Sequence, residues 1–279
     1  MKVAGWFGVW ALWGIGWAPA AAQTVAAPQS FEAIAVSPTE IRCYWLPAKG
    51  ATGYRIERDG RTLATLGAEG TELADSGLTP NSVHRYAVQA LQAEQTSASR
   101  DYVERTFATF PMTAHARRLP AVGFDVVIVQ ASTGGVAAAI EAGRRGLKVA
   151  LVEPTTRVGG MPVNGLSATD LRKAQYASGF FVRFRDRVKA LYAAEGMTTD
   201  GTKYEPRIAH QAMKSLLYAS PNITLWRRVR LKAVRTVPSQ PGSERRRVES
   251  VEVEETDAGG RPTGRRAELT AQVFIDATD

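Results

Sequence analysis

The chain has 279 residues, 44% hydrophobic and 22% charged, a globular composition that excludes wholesale disorder and leaves room for two domains. Its formal charge of +8 is carried mostly by arginine in scattered groups, Arg117-Arg118, Arg227-Arg228 and Arg245-Arg246-Arg247. These groups stand near segment ends beside acidic residues, so they read as solvated faces rather than a nucleic-acid footprint, with weak attraction to anionic surfaces left open.

The N-terminus reads as an export signal, residues 1–22. After Met1-Lys2 comes the apolar run "VAGWFGVWALWGIGW", then "APAAAQ", in which Ala20 and Ala22 fit small-residue cleavage before Gln23. The run is short for a membrane span of about 20 residues, and no later segment approaches that length. No twin-arginine pair precedes it, which favours the general secretory route and a periplasmic or extracellular mature chain. An uncleaved anchor is the alternative. The single Cys43 cannot form an internal disulfide; alternating with Ile41 and Trp45, it reads as a buried apolar side chain.

Residues 29–109 carry only β signals. Short alternating runs, "EIRCYW", "GYRIER" and "HRYAVQAL", are separated by the turn stretches "AKGATG", "RDGR" and "DSGLTPNS", which predicts a β-sandwich. Trp45, Tyr54 and "LTPNSVHRYAV" resemble a fibronectin type III module. His84 stands where that family usually has a tyrosine, two residues before the position of Tyr86, and reads as a half-buried strand residue. His115 and His210 are distant in sequence, so no metal-ligand spacing is present and no metal is expected. A sandwich alone does not name a job. A spacer or docking role is the plain reading, and a protein or glycan contact the open one.

"FPMTAHARRLPAVG", residues 110–123, reads as a linker, with two prolines and no apolar period. Beyond it the pattern becomes α/β over residues 124–279. "FDVVIV" and "LKVALVE" are near-continuous apolar strands, expected where both faces are covered. "GGVAAAIEAGRRG" between them is an Ala-rich helix ending at Gly146. "FVRFRDRVKALYAAEG" and "EPRIAHQAMKSLLYAS" have helical spacing, while "ITLWRRVRLKAV", "RRVESVEVEET" and "AELTAQVFIDAT" alternate as strands, with "DAGGRPTG" turning between the last two.

The strand–turn–helix from Asp125 is the layout of a dinucleotide site, which needs a sharp turn, backbone N–H groups near a pyrophosphate, and close helix–strand packing. The three glycine positions of the fingerprint fall on Gln130, Ser132 and Gly135, with Thr133 and Gly134 beside them. Gly135 allows close packing. Ser132 narrows the cleft yet offers a hydroxyl to a phosphate oxygen, and Gln130 brings a β-carbon into the tight turn. Glu153 ends the second strand 18 positions after Gly135, where a carboxylate accepts from a ribose diol; an exposed strand-end carboxylate is its plain alternative. In the following "PTTRVGGMPVNGLSATD", Gly159-Gly160 lets backbone approach a flat ligand, and Arg157 is placed to face a phosphate.

Here the chain resembles the FAD-dependent oxidoreductase family. The matching residues are Ser132, Gly134, Gly135, Glu153, Pro154, Gly159, Gly160, Met161, Asn164, Gly165, Leu166 and Asp170, with two further blocks, "YEPRIAHQAM" from Tyr204 and "VFIDAT" from Val273. The resemblance implies a Rossmann-like FAD-binding domain, FAD as cofactor, hydride transfer from an unidentified small-molecule substrate to flavin, and backbone near Val229 offered to the adenine. It also implies several hundred residues beyond the "FIDAT" strand, so the chain reads as the truncated N-terminal part of that domain, and no catalytic acid or base is named. Two alternatives stand beside it. One is a non-catalytic exported binding or spacer protein with a vestigial flavin domain. The other takes "QASTGG" as a nucleophile elbow, with Ser132 the nucleophile of a hydrolase.

Overall fold

The computed structural model describes residues 25–111, 121–171 and 176–278. The expected signal peptide, most of the expected linker, and Asp279 lie outside these residues.

The first unit is built from two packed sheets. β1 (Gln29–Ser37), β2 (Glu40–Leu46) and β5 (Glu72–Ser76) form one. β4 (Arg61–Gly67), β3 (Gly53–Arg58), β6 (Val83–Gln92) and β7 (Gln95–Thr96) form the other, in that order, with β8 (Arg100–Arg105) also paired to β6. Period-two alternation makes the core: Phe31, Ala33 and Ala35 from β1 and Ile41, Cys43 and Trp45 from β2 meet Tyr54, Ile56, Tyr86 and Val88 from the facing sheet. Cys43 is fully buried, and burial raises its thiol pKa, as expected of a packing residue. Asp75 ties the sheets together, accepting from the Tyr86 hydroxyl at 2.6 Å and from Arg58 Nη1 at 2.6 and 2.8 Å. His84 is half-buried on its strand, its ring bonded to Asp59 at 2.8 Å and Ser82 at 2.7 Å.

The second unit is a six-stranded mixed sheet, order β11-β10-β9-β14-β13-β12, with helices. Its strands are β9 (Ala121–Val129), β10 (Val149–Glu153), β11 (Ile223–Arg227), β12 (Val229–Pro238), β13 (Arg246–Thr256) and β14 (Pro262–Asp276). The pairs β11–β10, β10–β9 and β9–β14 are parallel, while β14–β13 and β13–β12 are antiparallel. The "VFIDAT" stretch returns as the parallel neighbour of β9, with Val273 opposite Val126 and Asp276 opposite Val129.

α1 (Thr133–Arg144), α2 (Gly179–Ala194) and α3 (Pro206–Tyr218) cover one face, packing Val136, Ile140, Val188, Ile208 and Leu217 on Val126, Ile128, Leu151 and Leu225. On the other face Val127, Ala150, Val152 and Trp226 meet Val251, Val253 and Leu269 of the antiparallel strands. Both faces of the short parallel strands are therefore covered, which is why their sequence is continuously apolar.

Two boundaries differ from the sequence expectation. β9 starts at Ala121, inside the expected linker, because Ala121–Gly123 pair with Glu268–Thr270 of β14; at the linker's other end Phe110 is buried edge-on against Trp226, with ring centroids 5.6 Å apart. The expected single strand "ITLWRRVRLKAV" is broken at Arg228, whose φ of 57° turns the chain from β11 into β12.

The two units share a buried polar junction. Glu104 of β8 accepts from Lys214 Nζ at 2.6 Å, the Tyr218 hydroxyl at 2.8 Å and Arg227 Nη2 at 3.0 Å. Arg105 crosses as well, donating to the carbonyls of Ile223 at 2.8 Å and Tyr218 at 3.2 Å.

Candidate functional site

The parallel strands β9 and β10 end side by side, and the turn after each strand builds one half of a single loop cluster. The first turn is Gln130 to Ser132. Gln130 has a φ of 74°, the left-handed region that favours glycine, so the missing first glycine of the fingerprint is a real backbone strain. Its N–H donates to the Val152 carbonyl at 2.8 Å, which fixes the turn to β10. Gly135 is required by contact: a Cβ there would lie 2.1 Å from the Gln130 carbonyl oxygen. The strained residue and the tightly packed glycine thus form one device, in which the turn folds back onto the first turn of α1.

Ser132 is the N-cap of α1, in extended conformation with φ −61° and ψ 176°, and its Oγ accepts from the Gly135 N–H at 3.3 Å. This corrects the nucleophile-elbow expectation: the strained residue is Gln130, and Ser132 makes no hydrogen bond to a histidine among the described residues. The N–H groups of Thr133 and Gly134 have no partner among the described residues, and Gly134 is exposed. They present two donors at the positive end of a 12-residue helix.

The second turn follows Glu153. This carboxylate is 4% exposed, accepting from the Ala131 N–H at 3.0 Å and from the Thr155 N–H and hydroxyl at 2.8 and 2.6 Å. It is therefore a clamp between the two turns rather than an exposed strand-end acid. An ionised carboxylate has about four acceptor sites, so one remains for a further donor. Thr155 is a residue that sequence reasoning missed: besides holding Glu153, its carbonyl accepts from the Arg228 N–H at 3.1 Å, bringing the β11–β12 bend to the same cluster. Val229, next in the chain, is buried.

Gly159 and Gly160 close the cluster from the other side. The Gly159 N–H donates to the Ala131 carbonyl at 2.7 Å, and the Thr133 hydroxyl donates to the Gly159 carbonyl at 2.8 Å. Gly160 has a φ of 67°, and a Cβ on it would meet the Thr133 nitrogen at 2.9 Å, so the second glycine pair lies directly on the start of α1. Arg157 is exposed, but its Nη2 donates to the Val163 carbonyl at 2.8 Å, bracing its own loop. Pro154 and Met161 are exposed at the rim, Met161 at 66%. The candidate residues from Gln130 to Gly160 thus gather at one place, with Val229 behind the neighbouring bend.

Behind the cluster, His210 of α3 is buried and its Nε2 has no partner. Burial, reinforced by the positive charges of Lys214, Arg157 and Arg227, holds its pKa well below the ordinary histidine value, so the imidazole is neutral at pH 7.

A family model described as FAD dependent oxidoreductase matches residues 125–279. No curated protein matches the chain. The β-rich N-terminal part is similar to solved fibronectin type III domains. The FN3tt domain is 22% identical over 30% of this chain and 96% of its own, with a TM-score of 0.28. The fn3 domain of human collagen alpha-1(XX) is 13% identical over 35% of this chain and 100% of its own, with a TM-score of 0.30. A two-domain segment from chicken tenascin is 15% identical over 30% of this chain and 51% of its own, with a TM-score of 0.28. The sandwich stands on its own two sheets rather than on these likenesses.

Proposed function

The chain belongs to the FAD-dependent oxidoreductase family, and on that premise we propose that the loop cluster at the ends of β9 and β10 holds FAD. The observation that carries this reading is the pair of unpartnered N–H groups on Thr133 and Gly134, set beside a carboxylate that ends the adjacent parallel strand. A pyrophosphate fits the former and a ribose hydroxyl the latter. The parallel order β11-β10-β9-β14, with α1 crossing between β9 and β10, supports a Rossmann-like reading of the sheet.

Each residue then has a task. Gly135 allows α1 to approach the turn, and exposed Gly134 leaves room for the phosphate against the helix end. Ser132 holds the Gly135 N–H and keeps its own hydroxyl proton to donate. Thr133 and the Gly159-Gly160 backbone pin the second loop over the helix start, and Arg157 braces that loop through Val163. Glu153 sets the spacing of the two turns and has one acceptor site for the ribose. Val229 lies behind the bend, where backbone approaches the adenine side. When bound, the flavin supplies hydride acceptance from an organic substrate. These residues bind and orient it.

The N-terminal apolar run and its Ala20-Ala22 cleavage pattern support an exported protein. With Glu104 buried against α3, the sandwich reads as a fixed part of the protein rather than a loose spacer.

Titration of purified protein with FAD tests the reading. We expect saturable quenching of flavin fluorescence and yellow flavin absorbance retained after desalting. Glu153→Gln, which turns an amide toward the Ala131 and Thr155 donors, weakens binding about tenfold, equivalent to roughly 1.4 kcal/mol. A folded wild-type protein that stays colourless and leaves flavin fluorescence unchanged refutes it.

A further inference from the structure

A cavity whose lining residues lie apart from the loop cluster sits between the sandwich and the α2–α3 pair. It encloses about 310 Å³, the small end of the range for ligand sites. Four arginines line it, Arg85 and Arg100 from the sandwich, Arg187 from α2 and Arg207 from α3, against two acids, Asp101 and Glu195.

The acids are already taken. Arg207 makes a two-point pair with Glu195, at 2.7 and 2.8 Å, and Arg85 pairs with Asp101. Arg100 donates only to carbonyls, of Pro28 at 3.3 Å and of Ala194 at 3.2 Å. Arg187 spends its Nε on the Ser215 hydroxyl at 2.8 Å. Among the described residues neither Arg100 nor Arg187 has a carboxylate within ion-pair distance, the Arg100 charge reaching Glu195 only at longer range, and the two Nη groups of Arg187 have no hydrogen-bond partner. Half-buried Arg187 has its pKa lowered first by burial and then by the like charge of Arg85 across the cleft. A guanidinium placed so, with its planar fork unengaged, lacks a counter-ion.

We propose that this cleft binds a small oxyanion, a carboxylate or phosphate group, gripped by the Nη edge of Arg187 and by Arg100. The anion offsets the surplus of two positive charges and bridges the sandwich to α2, so its occupancy stiffens the junction between the units. The site shares no residue with the FAD-holding cluster and does not depend on that reading.

Thermal unfolding of the full chain in sodium phosphate, sodium succinate and sodium chloride at matched ionic strength tests it. Phosphate or succinate raises the unfolding temperature saturably, chloride does not, and whichever of the two acts at lower concentration identifies the preferred group. Arg187→Gln weakens the effective concentration at least tenfold relative to its own baseline. Arg230→Gln, which alters an exposed arginine paired with Glu254 on β12, leaves it unchanged. Arg100→Gln gives the same loss as Arg187→Gln and stands in for it if that variant does not fold. A shift reproduced by chloride, or one that survives Arg187→Gln or Arg100→Gln, overturns the proposal. Phosphate bound at the start of α1 would give that second result, without touching the cofactor reading.

Discussion

Lys214 Nζ lies 2.6 Å from Glu104 Oε2, joining α3 to the sandwich strand β8 with both side chains 1% exposed. Two charges taken this far out of water carry a desolvation cost of several kcal/mol each, which only close pairing and further hydrogen bonds offset. Glu104 has both. Its two oxygens receive Lys214, Arg227, the Tyr218 hydroxyl and the Arg105 N–H. Lys214 also sits 4.4 Å from the Tyr102 ring centroid, and Arg227 sits 4.9 Å from that of Phe107.

Removing the one anion leaves these cations facing each other in a dry junction. Glu104→Gln keeps the side-chain shape and should cost about 3–5 kcal/mol of stability, read from the urea midpoint at pH 7. A loss under ~1 kcal/mol, the range of an exposed pair, would contradict the buried geometry.

The same carboxylate makes stability depend on pH. Burial alone would raise its pKa, but Lys214 and Arg227 outweigh this and hold it at about 2, against an ordinary value of 4.5. A depressed carboxylate stabilises the fold fully above its unfolded pKa and loses that contribution as pH falls from 4.5 through about 2. The loss is on the order of 3 kcal/mol by linkage. Urea unfolding at stepped pH should show this slope in the wild type and its absence in Glu104→Gln.

His210 acts in a higher window. Its pKa is lowered by burial, so the unfolded chain takes up a proton near pH 6.5 while the folded chain resists it, and stability declines as pH drops below 6.5. His210→Leu removes this titrating group, and the stability profile between pH 6.5 and 4.5 should flatten. An unchanged slope there would assign the acid sensitivity elsewhere.

Gln130 is held at a φ of 74°. A non-glycine residue in this region costs roughly 1–2 kcal/mol, while glycine loses about 0.5–1 kcal/mol more entropy on folding. Gln130→Gly should therefore stabilise the protein by roughly 0.5–1 kcal/mol in urea unfolding and, on the proposed cofactor reading, tighten FAD binding by removing a β-carbon from the turn. The opposite change, Gly135→Ala, drives a Cβ into the Gln130 carbonyl and should cost about 1–3 kcal/mol. A Gln130→Gly protein no more stable than wild type would mean the strain is relieved elsewhere.

Much of this was readable from sequence because it is local. The β9–turn–α1 unit and the helical stretches follow from apolar period and turn residues, whereas the return of "VFIDAT" beside β9 is a long-range pairing that only the family resemblance implied. Gln130 is the misfit of its fingerprint, and the left-handed φ gives the reason. The break at Arg228 was hidden because alternation runs unbroken through it; the turn lies in one backbone angle. Glu153 was expected at the strand end, but its clamping of Ala131 and Thr155 depends on two loops meeting. The Glu104 junction was least legible, since its side-chain partners Lys214, Tyr218 and Arg227 are more than a hundred residues away. One signal did exist: Lys214 stands among Ala209, Ala212, Met213 and Leu217, on a helix face with no other reason to carry a charge.

β14 enters the sheet between β9 and β13, so the strand that completes the parallel core comes late in the chain and pairs with one made early. Until it arrives, β9 carries a bare hydrogen-bonding edge on an apolar strand, Phe124–Val129, for the time it takes to synthesise the helices, β11 and the antiparallel pair. Such an edge is a template for pairing with other chains, and non-local pairing of this kind forms slowly. The hazard of this protein is thus one of timing. Aggregation during folding should be governed by how long β9 waits, rather than by how stable the finished molecule is.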